Sequence, residues 1–153
     1  MKTFIMMVGV PGSGKSTWLR ENFPHPAVYC STDALIDLHA LKEGKTYNEV
    51  FRDYIETATD KMQETMDWAF ERGMDVVLDQ TNLTRKSRAR KLALVPKGYR
   101  KVAVVVPTPE REEWLRRLDR PGKTIPRHVL EAMLASYQEP SLDEGFDEIR
   151  LSS

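Results

Sequence analysis

Apolar residues cluster along this chain in short unbroken runs that alternate with longer stretches of helical spacing. The runs at 3–9 (TFIMMVG), 27–30 (AVYC), 75–79 (DVVLD) and 101–106 (KVAVVV) are of strand length and lack polar alternation, the pattern of strands covered on both faces. Between the second and third run, Tyr47, Val50, Phe51, Tyr54, Ile55, Ala58, Met62, Met66, Ala69 and Phe70 recur at helical intervals across 46–72. The residues TYNE at 46–49 match a capping box, and Gly73 is placed to end that helix. From Thr108, TPEREEWLRRL predicts a second helix, with Thr108 as N-cap, Pro109 in the first turn and glutamates at the positive end of the dipole. The rhythm predicts an α/β fold: a mainly parallel sheet of four to five strands flanked by helices. With no internal repeat, low-complexity tract or linker, residues 1–153 read as a single domain.

Composition narrows the classes of partner. Lys plus Arg number 23 and Asp plus Glu number 23, so the whole chain exerts no net pull on nucleic acid, and such a partner needs a local patch. The longest apolar run, VAVVV at 102–106, is far short of the roughly 20 residues of a membrane helix. No membrane partner is expected, and glycines and a lysine break the N-terminal apolar segment before it could serve as a signal peptide. Cys30 is the single cysteine, so no internal disulfide can form and a cytoplasmic setting is expected.

Chemistry concentrates first at residues 9–17. Gly9-Val-Pro11-Gly12-Ser13-Gly14-Lys15-Ser16 fits G-x-x-x-x-G-K-[ST] and lies between an apolar run and a helix start, where a phosphate loop must lie. Glycines let successive N–H groups turn inward, the next helix adds its positive end, and Lys15 can reach β- and γ-phosphates. ATP is the expected ligand of Gly9, Pro11, Gly12, Ser13, Gly14, Lys15, Ser16 and Thr17, with Ser16 as a hydroxyl ligand of Mg²⁺.

Two acids follow strands. Asp79 ends the third apolar run, where a carboxylate can hold Mg²⁺ through a water, and Thr81 and Asn82 beside it should face the phosphates; a plain turn is the alternative. Asp33, in CSTDALID after the second run, is the candidate base that accepts the proton of an acceptor hydroxyl. Its alternative is a first-turn helix acid, as Ser31 and Thr32 also suggest. Basic residues gather at 84–91 (TRKSRARK) and 116–123 (RRLDRPGK). In the second run Arg116 and Arg120 are four apart and Arg117 and Arg120 three apart, so a helix would display them together before Pro121-Gly122 breaks it, an arginine-bearing lid able to close on a triphosphate. The alternative is a solvated basic face. His25, His39 and His128 show no ligand spacing and read as surface residues.

With GVPGSGKSTWLRE, an aspartate after the second strand, DQTNLTRKSRAR and RPGKTIPRHVLEAMLASYQEPSLDEGF on the page, the chain resembles the kinase domain of 5′-hydroxyl polynucleotide kinases, over nearly its whole length. The resemblance implies a P-loop kinase fold using ATP and Mg²⁺, with Asp33 as general base and Lys15 and Arg120 on the donor phosphates. It places Asp79 and Asn82 near the phosphates and acceptor, and Ile125 and Val129 where an acceptor nucleobase is gripped. Two departures stand out: Thr32 and Ile36 occupy positions where family members carry arginine. Arg85 and Arg88 of the basic run are the candidates to replace them at the acceptor. No phosphatase segment of the D-x-D-x-T type is present, and no obligatory protein partner is evident. The expected activity is transfer of phosphate from ATP to 5′-hydroxyl DNA or RNA ends, or to a small nucleotide. The alternatives are a kinase of a small alcohol, nucleoside or hydroxymethylated DNA base, and a non-catalytic nucleotide-dependent binding module.

Overall fold

All four apolar runs become strands in a computed structural model, which describes residues 2–152. β1 (Thr3–Val8) leads into α1 (Lys15–Asn22), β2 (Val28–Cys30) into α2 (Thr32–Glu43) and α3 (Tyr47–Glu71), and β3 (Val76–Asp79) into α4 (Arg85–Leu92). β4 (Arg100–Val105) is followed by α5 (Arg111–Leu118), α6 (Arg127–Ser136), a 3₁₀ turn (Leu142–Glu144) and β5 (Glu148–Leu151). The strands hydrogen-bond in the order β2-β3-β1-β4-β5, every neighbouring pair parallel. This confirms the α/β expectation and brings the carboxyl ends of all strands to one edge.

Alternation along β1 divides the interior. Phe4, Met6 and Val8 point into a core shared with Met62, Met66, Ala69 and Phe70 of α3, while Ile5 and Met7 pack with Leu19 of α1 and with Val102 and Val104 on the opposite face. Two covered faces are what make the central strands read as continuous apolar segments. Cys30 is buried in the first of these cores, and burial pushes its thiol up to about 12.

α3 begins as its sequence predicts. Glu49 N–H donates to Thr46 Oγ1 at 3.2 Å and Thr46 N–H to Glu49 Oε1 at 2.8 Å, the reciprocal pair of a capping box. α5 departs from expectation: it starts at Arg111, with Glu110 rather than Thr108 as its cap, accepting from Glu112 N–H. The Glu110 carboxylate takes the free N–H of Glu112 and so supplies the cap two residues beyond Thr108, which lies outside the helix with Pro109. β5 was not among the apolar runs, because Glu148 and Arg150 alternate with Ile149 and Leu151 on a strand bonded on one side only. No helix among the described residues is long and apolar enough to cross a membrane.

Candidate active site

The loop from Gly9 to Gly14 leaves the carboxyl end of β1 and turns directly into α1. A Cβ on Gly9 would lie 2.9 Å from both Ser13 Oγ and the Val106 carbonyl, and Gly14 caps α1 at φ 111°, so both positions exclude ordinary side chains. Lys15 folds back over the loop and donates to the carbonyls of Gly9 (2.9 Å) and Gln80 (3.3 Å). Burial lowers its pKa, opposed by the negative charges of Asp79 and Asp33. Ser13 Oγ is buried without a hydrogen-bond partner among the described residues. These features fit a bound triphosphate: backbone N–H groups, a helix N-terminus, a pre-placed ammonium group and a spare hydroxyl.

Beside the loop opens a cleft of about 560 Å³, whose walls include Lys15, Ser16, Asp33, Asp79, Arg117 and Arg120. Residues from the ends of β1, β2 and β3 thus meet in one place, as the parallel topology requires. Asp79 accepts a hydrogen bond from the Tyr29 hydroxyl, whose pKa is raised by burial and by that carboxylate. Ser16 and Asp79 both line the cleft, and their oxygens would fit the sparse set that Mg²⁺ takes when phosphates and waters complete its shell.

Asp33 sits in the first turn of α2, but the cap of that helix is Ser31, which accepts from Ala34 N–H at 3.2 Å. The carboxylate therefore remains free for the cleft. It accepts from the Tyr47 hydroxyl at 2.6 Å and makes no ion pair among the described residues.

The arginines are placed differently from expectation. α5 ends at Leu118, so no single helix presents Arg116 and Arg120 together. Arg116 is 74% exposed, pairs with Glu113 and does not line the cleft. Arg117 does: its Nη1 donates to the carbonyls of Gly12 and Ser13, each at 3.3 Å. Trp114, three residues before Arg117 on the same helix, is buried beneath the loop and donates from Nε1 to Pro11 O at 2.7 Å. Arg120 reaches the cleft from the turn after α5.

The expected acceptor residues separate in the same way. Thr81 lines the cleft. Asn82 does not: it is buried at φ 50°, donates to Met7 O at 2.7 Å, and accepts from Lys91, so it fastens the loop after β3 to β1. Arg88 is corrected too. It is fully buried, bonded to Glu144 at 2.8 and 3.1 Å and to the Asn82 carbonyl at 2.9 Å, and has no surface to offer an acceptor. Arg85 pairs with Asp143 at 3.2 Å and donates to Ser141. Ile125 packs against the cluster of Val10, Leu83, Trp114, Leu118 and Leu130, and neither it nor half-buried Val129 lines the cleft. Ile36 is fully buried between α2 and α3, so a cation there would lie in the core.

A parallel sheet with a phosphate loop after its central strand, an acid at the end of the neighbouring β3 and another just past the edge strand β2, defines the P-loop kinase fold. The chain belongs to the AAA domain family, matched over residues 4–140. It is 28% identical over 156 residues to human heterogeneous nuclear ribonucleoprotein U-like protein 2, covering 95% of this chain and 21% of that protein, about a fifth of the relative's length. Among solved structures it is similar to a candidate kinase from Chloroflexus aurantiacus (TM-score 0.70, 16% identity, 98% of this chain and 86% of that one). It is similar as well to a sugar kinase from Janibacter sp. HTCC2649 (0.62, 19%, 99% and 85%) and to a chain of the Pnkp1/Rnl/Hen1 complex (0.60, 20%, 95% and 43%).

Proposed function

We propose that this protein transfers the γ-phosphate of ATP to the 5′-hydroxyl of a polynucleotide or short nucleotide. The observation that carries the reading is Asp33: a carboxylate on the wall shared with Lys15 and Arg120, tied to a neutral phenol and free of any ion pair among the described residues. A group so placed can accept the proton of an acceptor hydroxyl, which a nucleotide-dependent binding module would not require. As the acceptor oxygen bonds to phosphorus and the bond to the ADP oxygen breaks, the hydroxyl proton passes to Asp33. Lys15, Arg117 and Arg120 hold the phosphate charge, and the loop amides fix the line of attack. Mg²⁺ held by Ser16, and by Asp79 through a water, would neutralise charge on the β- and γ-oxygens.

The polynucleotide acceptor is supported by the likeness of 79–90 and 120–146 to 5′-hydroxyl polynucleotide kinases and by the fold shared with a chain of the Pnkp1/Rnl/Hen1 complex. A second reading, a small-alcohol kinase, is favoured by the neutral Thr32 and buried Ile36, which leave no arginine at either position to grip a second acceptor phosphate. Labelled ATP offered with 5′-hydroxyl DNA and RNA oligonucleotides, nucleoside 3′-monophosphates, hydroxymethylated DNA and sugars separates these readings. The expected product is a 5′-labelled oligonucleotide, absent with Lys15→Ala. Label on a sugar alone establishes the second reading, and ATP hydrolysis without transfer to any acceptor establishes a binding module.

A further inference from the structure

The start of α3 grips the segment that carries Arg120. Asn48 N–H donates to Gly122 O at 2.9 Å, Thr124 N–H to Asn48 Oδ1 at 2.7 Å, and Asn48 Nδ2 to Thr124 O at 3.0 Å. Gly122, at φ 74°, approaches Thr46 so closely that a Cβ would fall 2.7 Å from the threonine methyl. Between these contacts stands Tyr47. Its hydroxyl donates to Asp33 Oδ1 at 2.6 Å, and the Lys123 ammonium lies 4.6 Å from its ring centroid while pairing with Asp37 at 2.9 Å.

We propose that Tyr47 is a positioning residue for phosphoryl transfer, holding one oxygen of Asp33 so that the other is aimed at the acceptor hydroxyl, and joining that aim to the docked Arg120 segment. The inference rests on the reading of Asp33 as the base. The charged surroundings make a neutral tether useful. Asp33 shares its cleft with Lys15 of α1, Asp37 of its own helix, Tyr29 of β2, Asp79 of β3, and Arg120 and Lys123 of the segment after α5. Left untethered, the carboxylate could swing onto one of these cations and lose its capacity to take a proton. A phenol, whose own pKa is raised by burial and by Asp33, donates without neutralising the base. It holds one oxygen and leaves the second free, and the capping box and the Asn48 bonds fix the phenol in turn.

The test is steady-state transfer from ATP to a 5′-hydroxyl oligonucleotide by Tyr47→Phe, Asp33→Asn and the double variant, with thermal melting of each. Tyr47→Phe should lower kcat about tenfold at unchanged KM for ATP and nearly unchanged Tm, as expected when an aligning hydrogen bond is lost. On the Asp33→Asn background the same substitution should change kcat less than twofold, because the group it aims is already disabled. Wild-type kcat in Tyr47→Phe overturns the inference, and so does an equal loss on both backgrounds, which marks a structural role. If Asp33→Asn itself turns over normally, it is the reading of Asp33 that fails.

Discussion

At the scale of single residues the site is a set of pairs, and the pairs decide which substitutions matter. Arg120→Ala should reduce kcat about 10²-fold, the loss typical of a preorganised charge removed from a transition state, whereas Arg116→Ala should stay within twofold. The contrast follows from placement: Arg120 lines the cleft, while Arg116 projects into solvent beside Glu113. Steady-state kinetics of both variants checks it, and equal small losses would return both to a solvated basic face. The phosphate loop was legible because its residues are contiguous and each answers one steric or electrostatic demand. Tyr29 and Tyr47 were not, since a hydrogen bond spanning 50 or 14 residues leaves no trace in periodicity. Arg88 misled for a related reason: a guanidinium in a basic run reads as exposed until Glu144, 56 residues away, is seen to cover it.

Elements were readable wherever local chemistry fixed them. α3 could be placed from its capping box and apolar stripe, and its observed span agrees with both. β5 depends on the strand it pairs with and the start of α5 on which residue supplies the cap, and periodicity carries neither. The same distant pairing gives α4 a measurable dependence on the 3₁₀ turn. Arg88 and Glu144 are both buried, so Glu144→Gln, which leaves the guanidinium without its counter-charge, should cost about 3 kcal/mol by denaturant unfolding. Burial alone would raise the Glu144 pKa, but hydrogen bonds from Arg88 and from the Ser141 amide outweigh it and hold it below the ordinary 4.5. A carboxylate lowered on folding stabilises above its unfolded pKa and loses that contribution as the pH falls through the folded one. The difference between wild type and Glu144→Gln should therefore be full at neutral pH and shrink below about pH 4.5.

For the molecule as a whole, balanced charge limits how the proposed acceptor strand could be held. Of the basic residues in α4, Arg85 and Arg88 are engaged with acids and Lys91 with Asn82, and Lys123 in the cleft pairs with Asp37. KM for an oligonucleotide should thus change only weakly with salt, with a slope of about one or two phosphates, and a nucleoside 3′-monophosphate should serve almost as well as a long strand. Steep salt dependence together with a gain from strand length would instead require Lys86 and Arg90, the remaining basic residues of α4, to cradle the strand. Cys30 extends the view from chemistry to motion. Its thiol, buried and with its pKa pushed up by that burial, should resist alkylating reagents while β2 stays bonded to β3, and there is no second thiol in the chain to confuse the signal. The rate of alkylation is then a clock for opening of the sheet edge beside Asp33, and ATP, by binding the closed form, should slow that clock in proportion to its occupancy.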